Sequence, residues 1–209
     1  MSLTFKSFVI GPLQNNCYVI HEPVSNKAAI VDPAEGTEPV IAYLKNNVMV
    51  LEKILITHAH FDHILGCKAV KEAFPSASIF LHPDDAAIWQ RSGNAELFGY
   101  LAVDLPQPAH WLQDCEIIPV GDDELEVRHT PGHTPGHVVY YSPNSGCVFC
   151  GDLIFRRSVG RTDLPGGDFA QLKNSIELQI YSLPESTLLL PGHGPGTTVG
   201  EEKRYNLYV

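Results

Sequence analysis

The chain has 209 residues, of which 44% are hydrophobic and 18% charged, a balance typical of folded globular proteins rather than disordered ones. Its net charge of −10 argues against a nucleic-acid binder that neutralises phosphates over a broad face. No apolar run approaches the roughly 20 residues that cross a bilayer, and no basic, apolar leader marks export. We therefore expect a cytoplasmic protein that binds neither nucleic acid nor membrane.

The first half of the sequence mixes strand and helix patterns. Strands are predicted over 3–10, 16–21, 27–31, 54–56 and 78–81. Helices are predicted over 37–47, 64–74 and 83–91. Thr37 is expected to cap the first of these helices, which has one apolar face at helical spacing. This face consists of Val40, Ile41, Leu44 and Val48.

The second half repeats this order after an irregular stretch over residues 92–115. Strands are predicted over 116–120, 124–129, 137–142, 146–150 and 188–190. Asp168 and Gln171 are predicted to cap a helix that runs through 181, with Phe169, Leu172, Ile176 and Ile180 on its apolar face. Because no linker separates the halves, we expect a single domain over 1–209, of the α/β (α+β) class, with two sheets packed together and helices outside.

A dense group of metal-type side chains follows the predicted strand 54–56, in His58-Ala59-His60-Phe61-Asp62-His63. Neutral imidazole and carboxylate are ligands that zinc- and iron-class ions prefer. Because alternate residues of an extended segment point the same way, His58 and His60 can be aimed at one ion. Asp62 and His63, at the start of the next helix, can turn toward a second ion.

Three further segments place a ligand-type residue beside glycine at the end of a predicted strand. They are Thr130-Pro131-Gly132-His133, Cys150-Gly151-Asp152 and Leu190-Pro191-Gly192-His193-Gly194. Each alone is common in ordinary turns, but together they share the carboxyl ends of strands, where sites of α/β proteins are usually built. His137, just beyond the first of them, is expected to position rather than to bind.

In order and along nearly the whole chain, these motifs resemble the five-motif set of the metallo-β-lactamase superfamily. The resemblance implies a four-layer αββα sandwich, with two mixed β-sheets packed face to face, helices outside and the metals at one edge. It implies that His58, His60 and His133 bind a first metal. It further implies that Asp62, His63 and His193 bind a second metal, with Asp152 bridging both. Two divalent ions per chain are expected, zinc foremost, although imidazole and carboxylate also accept iron and manganese.

Such a pair of cations predicts hydrolytic chemistry. Two ions about 3.5–4 Å apart lower the pKa of a shared water and supply a metal-bridging hydroxide at neutral pH. Their charges also polarise a substrate carbonyl, and Asp62 is expected to orient the hydroxide. A thioester suits this site because its thiolate leaving group, with a pKa near 8.5, needs little help from a general acid.

The stretch from Gly151 to Asp168, which includes Gly160-Arg161-Thr162-Asp163, resembles the glyoxalase II-like branch of the superfamily. That branch hydrolyses acyl-glutathione thioesters, which implies a small-molecule thioester substrate and a contact from Arg161 to its glutathione part. Full-length glyoxalase II continues into a basic helical region, whereas this sequence ends 16 residues after His193. The resemblance is therefore to the short bacterial glyoxalase II-like, or hydroxyacylglutathione hydrolase-like, proteins.

Two other functions are compatible with these motifs. The persulfide dioxygenases share the His-x-His-x-Asp-His frame and a Gly-Arg-Thr-Asp sequence, but they use a single iron to oxygenate glutathione persulfide. A non-enzymatic metal-binding module is the other alternative. It is disfavoured because structural metal sites are coordinatively closed, whereas seven ligands around two ions leave room for water. The sequence indicates neither the oligomeric state nor the acyl group.

Overall fold

The first β-sheet is built from the N-terminal half of the chain in a computed structural model that describes residues 2–209. Its six strands lie side by side in chain order, the first three antiparallel and the last four mutually parallel. The strands are β1 (Thr4–Ile10), β2 (Asn15–His21), β3 (Lys27–Val31), β4 (Val50–Leu55), β5 (Ser78–Leu81) and β6 (His110–Trp111). The carboxyl ends of β3, β4 and β5 therefore meet at one edge.

The second β-sheet is built from the C-terminal half and also has six strands, in the order β14-β13-β10-β9-β8-β7. Only β10 and β13 are parallel; the other pairs are antiparallel. The strands are β7 (Ile117–Val120), β8 (Asp123–His129), β9 (Val138–Ser142), β10 (Cys147–Gly151), β13 (Leu188–Pro191) and β14 (Thr197–Thr198). A small hairpin of β11 (Ile154–Phe155) and β12 (Ser158–Val159) stands apart from both sheets.

The helices are short. The α-helices are α1 (Glu38–Asn46), α2 (Phe61–Ile64), α3 (Cys67–Ala73), α4 (Ala86–Trp89), α5 (Phe169–Ser175) and α6 (Val199–Tyr205). A 3₁₀ turn over Pro83–Asp85 leads into α4, irregular 3₁₀ turns cover Ser92–Phe98, and a π-helical turn over Ile176–Ile180 extends α5. Within residues 2–209, no helix has both the length and the hydropathy to cross a membrane.

Three apolar clusters separate four layers. One packs the outer face of the first sheet against α1 and α3, and a second packs the two sheets against each other. A third packs the second sheet against α5. Strand β3 shows how one strand serves two clusters, because Ile30 faces the helices whereas Val31 faces the other sheet. Burying one such side chain contributes roughly 1.5–3 kcal/mol. The expected αββα sandwich of two mixed sheets is confirmed.

Three expectations about helix ends and faces were wrong. Thr37 occupies the N-cap position of α1, but its hydroxyl makes no cap bond, and its backbone (φ −74°, ψ 0°) lacks the extended conformation of a usual N-cap. Val48 lies beyond the end of α1 in a left-handed conformation and is 77% exposed, and Met49 is buried in its place. Phe169 begins α5 but is exposed, whereas the other three residues of that face are buried.

Candidate metal centre

The seven predicted ligands come together at one edge of the sandwich. They are carried by four segments, each of which follows a strand of one of the two sheets. His58 and His60 follow β4, and Asp62 and His63 lie in α2; His133 follows β8, Asp152 follows β10 and His193 follows β13. Because these strands run toward the same edge, residues up to 135 positions apart in sequence (His58 to His193) become neighbours.

The first triad consists of His58, His60 and His133. His133 Nε2 lies 2.9 Å from His60 Nδ1 and 3.2 Å from His58 Nε2. The outer nitrogen of His133, Nδ1, donates to the Arg161 carbonyl at 2.7 Å, which leaves the lone pair on Nε2. His58 Nδ1 lies 3.1 Å from the Thr57 hydroxyl, so its lone pair also falls on Nε2. Three imidazole nitrogens therefore converge on one point.

This convergence fits a bound cation. Lone pairs that face each other at about 3 Å repel unless a proton or a cation lies between them. A tetrahedral ion with ligand distances of about 2.0–2.1 Å holds its nitrogens roughly 3.3 Å apart, close to the 3.2 Å between His58 and His133. All three side chains are at least 96% buried, which favours the neutral form that a metal requires.

The second triad consists of Asp62, His63 and His193. Asp62 Oδ2 lies 3.2 Å from His193 Nε2 and 3.5 Å from His63 Nε2. The outer nitrogen of His193 faces the Leu13 carbonyl at 3.1 Å. His63 Nε2 is buried and has no hydrogen-bond partner among residues 2–209, although it is aimed at two carboxylates. A buried nitrogen in this position suits a ligand better than it suits a structural side chain.

Asp152 lies between the two triads. Its Oδ1 is 3.4 Å from His63 Nε2, and its Oδ2 is 3.8 Å from His133 Nε2 and 3.6 Å from His193 Nε2. Asp152 Oδ1 is also buried without a hydrogen-bond partner in the described part of the chain. The carboxylate thus faces ligands of both triads, the position that a bridging ligand requires.

The charges of the centre are matched to cation binding. Burial opposes ionisation of Asp152, but the neighbouring imidazoles of His63, His193 and His133 outweigh it and hold the pKa of this carboxyl well below its usual value. Burial, reinforced by the other imidazoles, lowers the pKa of His58. The site therefore presents an ionised carboxylate beside a neutral imidazole, the protonation states that a divalent ion binds.

Asp32, Thr57 and Asn15 orient these ligands, although no sequence motif indicated them. The Asp32 carboxylate accepts from the Thr57 amide at 2.8 Å and the Thr57 hydroxyl at 2.6 Å. It also lies 3.0 Å from His63 Nδ1, which directs the other nitrogen of His63 toward the centre. Asn15 Nδ2 donates to Asp62 Oδ2 at 3.0 Å. Asp32 follows β3 beside the end of β4, and only this strand pairing reveals its role.

Asp85 follows β5 and is fully buried, and it joins the two loops that carry the first triad. Its Oδ2 accepts from the Ala59 amide at 2.8 Å and from the Thr134 hydroxyl at 2.9 Å. Its Oδ1 accepts from the Gly136 amide at 2.7 Å. Ala59 separates His58 from His60, and Thr134 follows His133. One carboxylate therefore fixes both loops that carry the first triad.

His137 has the positioning role that its sequence context predicts. It is fully buried, and its ring stacks on His58 with centroids 5.2 Å apart. Its Nδ1 lies 2.9 Å from the Thr130 hydroxyl, and its Nε2 accepts from the Asp152 amide at 3.2 Å. His137 thus fixes the backbone of Asp152 through this hydrogen bond.

The Arg161 side chain, expected to contact substrate, is half exposed and forms a bidentate ion pair with Asp163 at 2.7 Å. Its backbone has a separate role, since the Arg161 carbonyl accepts from His133. The residue therefore connects a surface ion pair to a ligand of the first triad. Substrate contact by its guanidinium stays a prediction.

A third group of ligand-type side chains, formed by His82, Asp84 and His129, lies outside the centre. The rings of His82 and His129 are stacked, with centroids 4.2 Å apart and planes 10° apart. An imidazole binds a metal in the plane of its ring, and two parallel planes do not meet at an ion. His129 Nε2 is also close to the Pro135 carbonyl, at 2.9 Å. This arrangement is that of a stacked pair rather than a chelate.

An αββα sandwich that gathers a three-histidine triad, an Asp/His/His triad and a shared carboxylate at one edge defines a class of metal-dependent hydrolase. Comparison with known families agrees with this class. Residues 10–193 match the model of the metallo-β-lactamase superfamily. The chain belongs to this superfamily, and the family resemblance indicated by its motifs is confirmed.

Similar proteins span almost the full length of the chain. The hydroxyacylglutathione hydrolase GloC of Haemophilus influenzae is 33% identical, over 96% of this chain and 95% of its own length. The crystal structure of BLEG-1 B3 metallo-β-lactamase is 38% identical and covers 98% of this chain and 99% of its own, with a TM-score of 0.91. The crystal structure of TTHA1623 in a di-iron-bound form is 37% identical over 98% of this chain and 100% of its own, with a TM-score of 0.89.

Proposed function

We propose that the protein is a dinuclear metal-dependent thioesterase that acts on acyl-glutathione-type thioesters. The position of Asp152 between the two triads carries this proposal, since a shared carboxylate allows two ions to act on one substrate. We assign His58, His60 and His133 to the first ion. Asp62, His63 and His193 are assigned to the second ion, and Asp152 to both.

Two divalent ions, when bound, supply Lewis acidity for the thioester carbonyl and activation of water for the attack on it. The residues of the chain supply orientation. Asp62 Oδ2 is engaged by Asn15 and His193. Its other oxygen is left to accept a hydrogen bond from the attacking water. Asp62 would thereby direct a lone pair of that water toward the carbonyl carbon, while the ions, when bound, lower the pKa of the water.

The leaving group supports a thioester as substrate. A departing thiolate, with a pKa near 8.5, is stable enough to leave without a proton donor. The pKa of Asp152 is lowered and the pKa values of His58 and His133 are lowered too, so none of these three groups offers a proton to the leaving group. The similarity to GloC, named as a hydroxyacylglutathione hydrolase, supports the same substrate class. We propose zinc as the metal, and the di-iron-bound form of the similar protein TTHA1623 makes iron the alternative.

The experiment that tests this function combines metal analysis with a substrate panel. Purified protein is assayed for bound zinc, iron and manganese, and for turnover of S-lactoylglutathione, a lactone, a β-lactam and glutathione persulfide. We expect two metal ions per chain and turnover of the thioester above the others. Asp152→Ala and His60→Ala are expected to lower kcat/KM at least a thousandfold and to lower bound metal, whereas the exposed control Asp122→Ala changes neither.

The alternatives give distinct results in the same panel. One iron per chain, oxygen uptake on glutathione persulfide and no thioester hydrolysis would identify a persulfide dioxygenase-like enzyme instead. Preferred turnover of the β-lactam would place the chain with BLEG-1, the B3 metallo-β-lactamase to which it is similar. Full activity and metal content in Asp152→Ala would refute the assignment of the site itself.

A further inference from the structure

A groove of about 390 Å³ lies between the irregular segment that follows α4 and the loop that follows Arg161. Its volume falls within the range of small-molecule sites. The residues that line it are Gln90, Arg91, Asn94, Glu96, Leu97, Ala102 and Pro165. None of these residues belongs to the metal centre.

Both walls of the groove are fixed to ligands of the first triad. On one wall, Gly93 packs on the backbone of His60 and Phe61 so closely that an added Cβ would lie 2.6 Å from the His60 carbonyl carbon. Asn94, the next residue, lines the groove. On the other wall, the Arg161 carbonyl accepts from His133, and Pro165 follows four residues later. The groove is therefore lined by two segments that also contact residues of the first triad through Gly93 and Arg161.

The lining of the groove combines apolar surface with four polar side chains, one of which is a cation without an ion-pair partner. Four of its seven lining side chains are charged or carry an amide. Arg128, Arg161 and Arg204 each pair with a carboxylate, whereas the described residues provide no carboxylate within ion-pair distance of Arg91. Glu96 lines the same groove but forms no ion pair with Arg91, so in a chain of net charge −10 the exposed Arg91 guanidinium is available to an anionic ligand.

We propose that this groove binds the thiol half of the substrate and that Arg91 pairs with a carboxylate on it. The ligand class is a small peptide-like thiol with a free carboxylate, and the amides of Gln90 and Asn94 match its peptide groups. The inference rests on the proposed thioesterase function for its substrate. Arg91 is assigned to this carboxylate because its guanidinium forms no ion pair, whereas the Arg161 guanidinium is paired with Asp163.

The test compares two thioesters that differ only in charge. S-lactoylglutathione is measured beside S-lactoyl-N-acetylcysteamine, which has the same acyl group but no carboxylate. Arg91→Gln is expected to raise KM for S-lactoylglutathione about tenfold, with kcat and the kinetics of the neutral thioester unchanged. The matched control Arg204→Gln removes the same charge from the exposed face of α6 and is expected to change neither substrate.

Binding of S-methylglutathione, measured by calorimetry on the metal-loaded protein, separates this inference from the proposed function. Arg91→Gln is expected to weaken this binding about tenfold. If the wild type binds S-methylglutathione through Arg91 but hydrolyses no thioester, the thioesterase proposal fails and the groove assignment stands. An equal effect of Arg91→Gln on the charged and neutral thioesters, or no effect on either, would overturn the groove assignment.

Discussion

Single residues outside the ligand set determine the geometry of the metal centre. Asp32 orients His63, and Asp85 joins the loops that carry His58, His60 and His133. Neither carboxylate is one of the seven assigned ligands. Partners of this kind hold an imidazole in one tautomer and one orientation, which removes the cost of ordering it when metal binds.

Substitution of Asp85 by Asn tests this positioning role. The carboxylate accepts three hydrogen bonds, and an amide replaces one acceptor oxygen with a donor, so a buried N–H faces another N–H. We expect Asp85→Asn to lower the free energy of unfolding by about 2 kcal/mol and to weaken metal binding by roughly tenfold or more. Urea denaturation and competition with a chelator measure the two effects.

The exposed neighbour Asp84 provides the matched control, since Asp84→Asn makes the same chemical change outside the network. It is expected to leave metal affinity unchanged. If Asp85→Asn lost stability but kept wild-type metal affinity, Asp85 would be a structural carboxylate only.

The sequence predicted the seven candidate ligands that the structure brings together, but it did not predict these supporting residues. His58, His60, Asp62 and His63 fall within six consecutive positions, a density that ordinary loops rarely show. Asp32 lies 25 residues from its partner Thr57, and Asp85 lies 51 residues from Gly136. Their roles depend on the parallel pairing of β3 with β4 and on contact between the two halves. No local pattern encodes either.

Among the secondary-structure elements, the turn after β13 shows how close the segments of the centre lie. An added Cβ on Gly192 would overlap the Asp152 carboxylate and would lie 2.7 Å from His63 Cε1. The turn can bring His193 to the centre only because residue 192 has no side chain.

Gly192→Ala is therefore expected to displace Asp152 and His63 and to lower kcat/KM at least a hundredfold. Because the overlap is confined to the site, most of the fold should survive, as circular dichroism would show. Gly146→Ala, in a turn where an added Cβ meets open space and the cost is only that of a φ of +61°, is the glycine control and is expected to keep full activity with a small loss of stability. Wild-type activity in Gly192→Ala would show that the centre tolerates a displaced Asp152.

Elements were predictable where they bury a regular apolar face. Strand β5 was predicted with its observed bounds, and α5 begins after Asp168, which caps it as expected by accepting from the Gln171 amide at 3.0 Å. Helix α6 was missed because its buried face includes a charged residue. Glu202 accepts from Arg157, Thr197 and Asn206, so hydrogen bonds rather than apolar spacing hold the helix in place.

At the scale of the whole molecule, the candidate centre is built from segments of both sheets. Four of the seven assigned ligands follow strands of the first sheet, and three follow strands of the second. The cluster between the sheets joins the same two halves through their apolar faces. Metal binding and core packing therefore hold the halves together at two places, and we propose that residues 1–209 unfold as one domain.

This arrangement predicts one cooperative thermal transition that shifts upward as a whole when metal binds. Free metal at a thousandfold excess over its dissociation constant adds about 4 kcal/mol per site, or roughly 10 °C in Tm for a chain of this size. Calorimetry of chelated and zinc-loaded protein measures the shift. Asp152→Ala is expected to keep the single transition but to lose most of the shift, whereas Asp122→Ala keeps both. Two separate transitions, with metal raising only one of them, would show that the halves are independent units and that the ions do not join them.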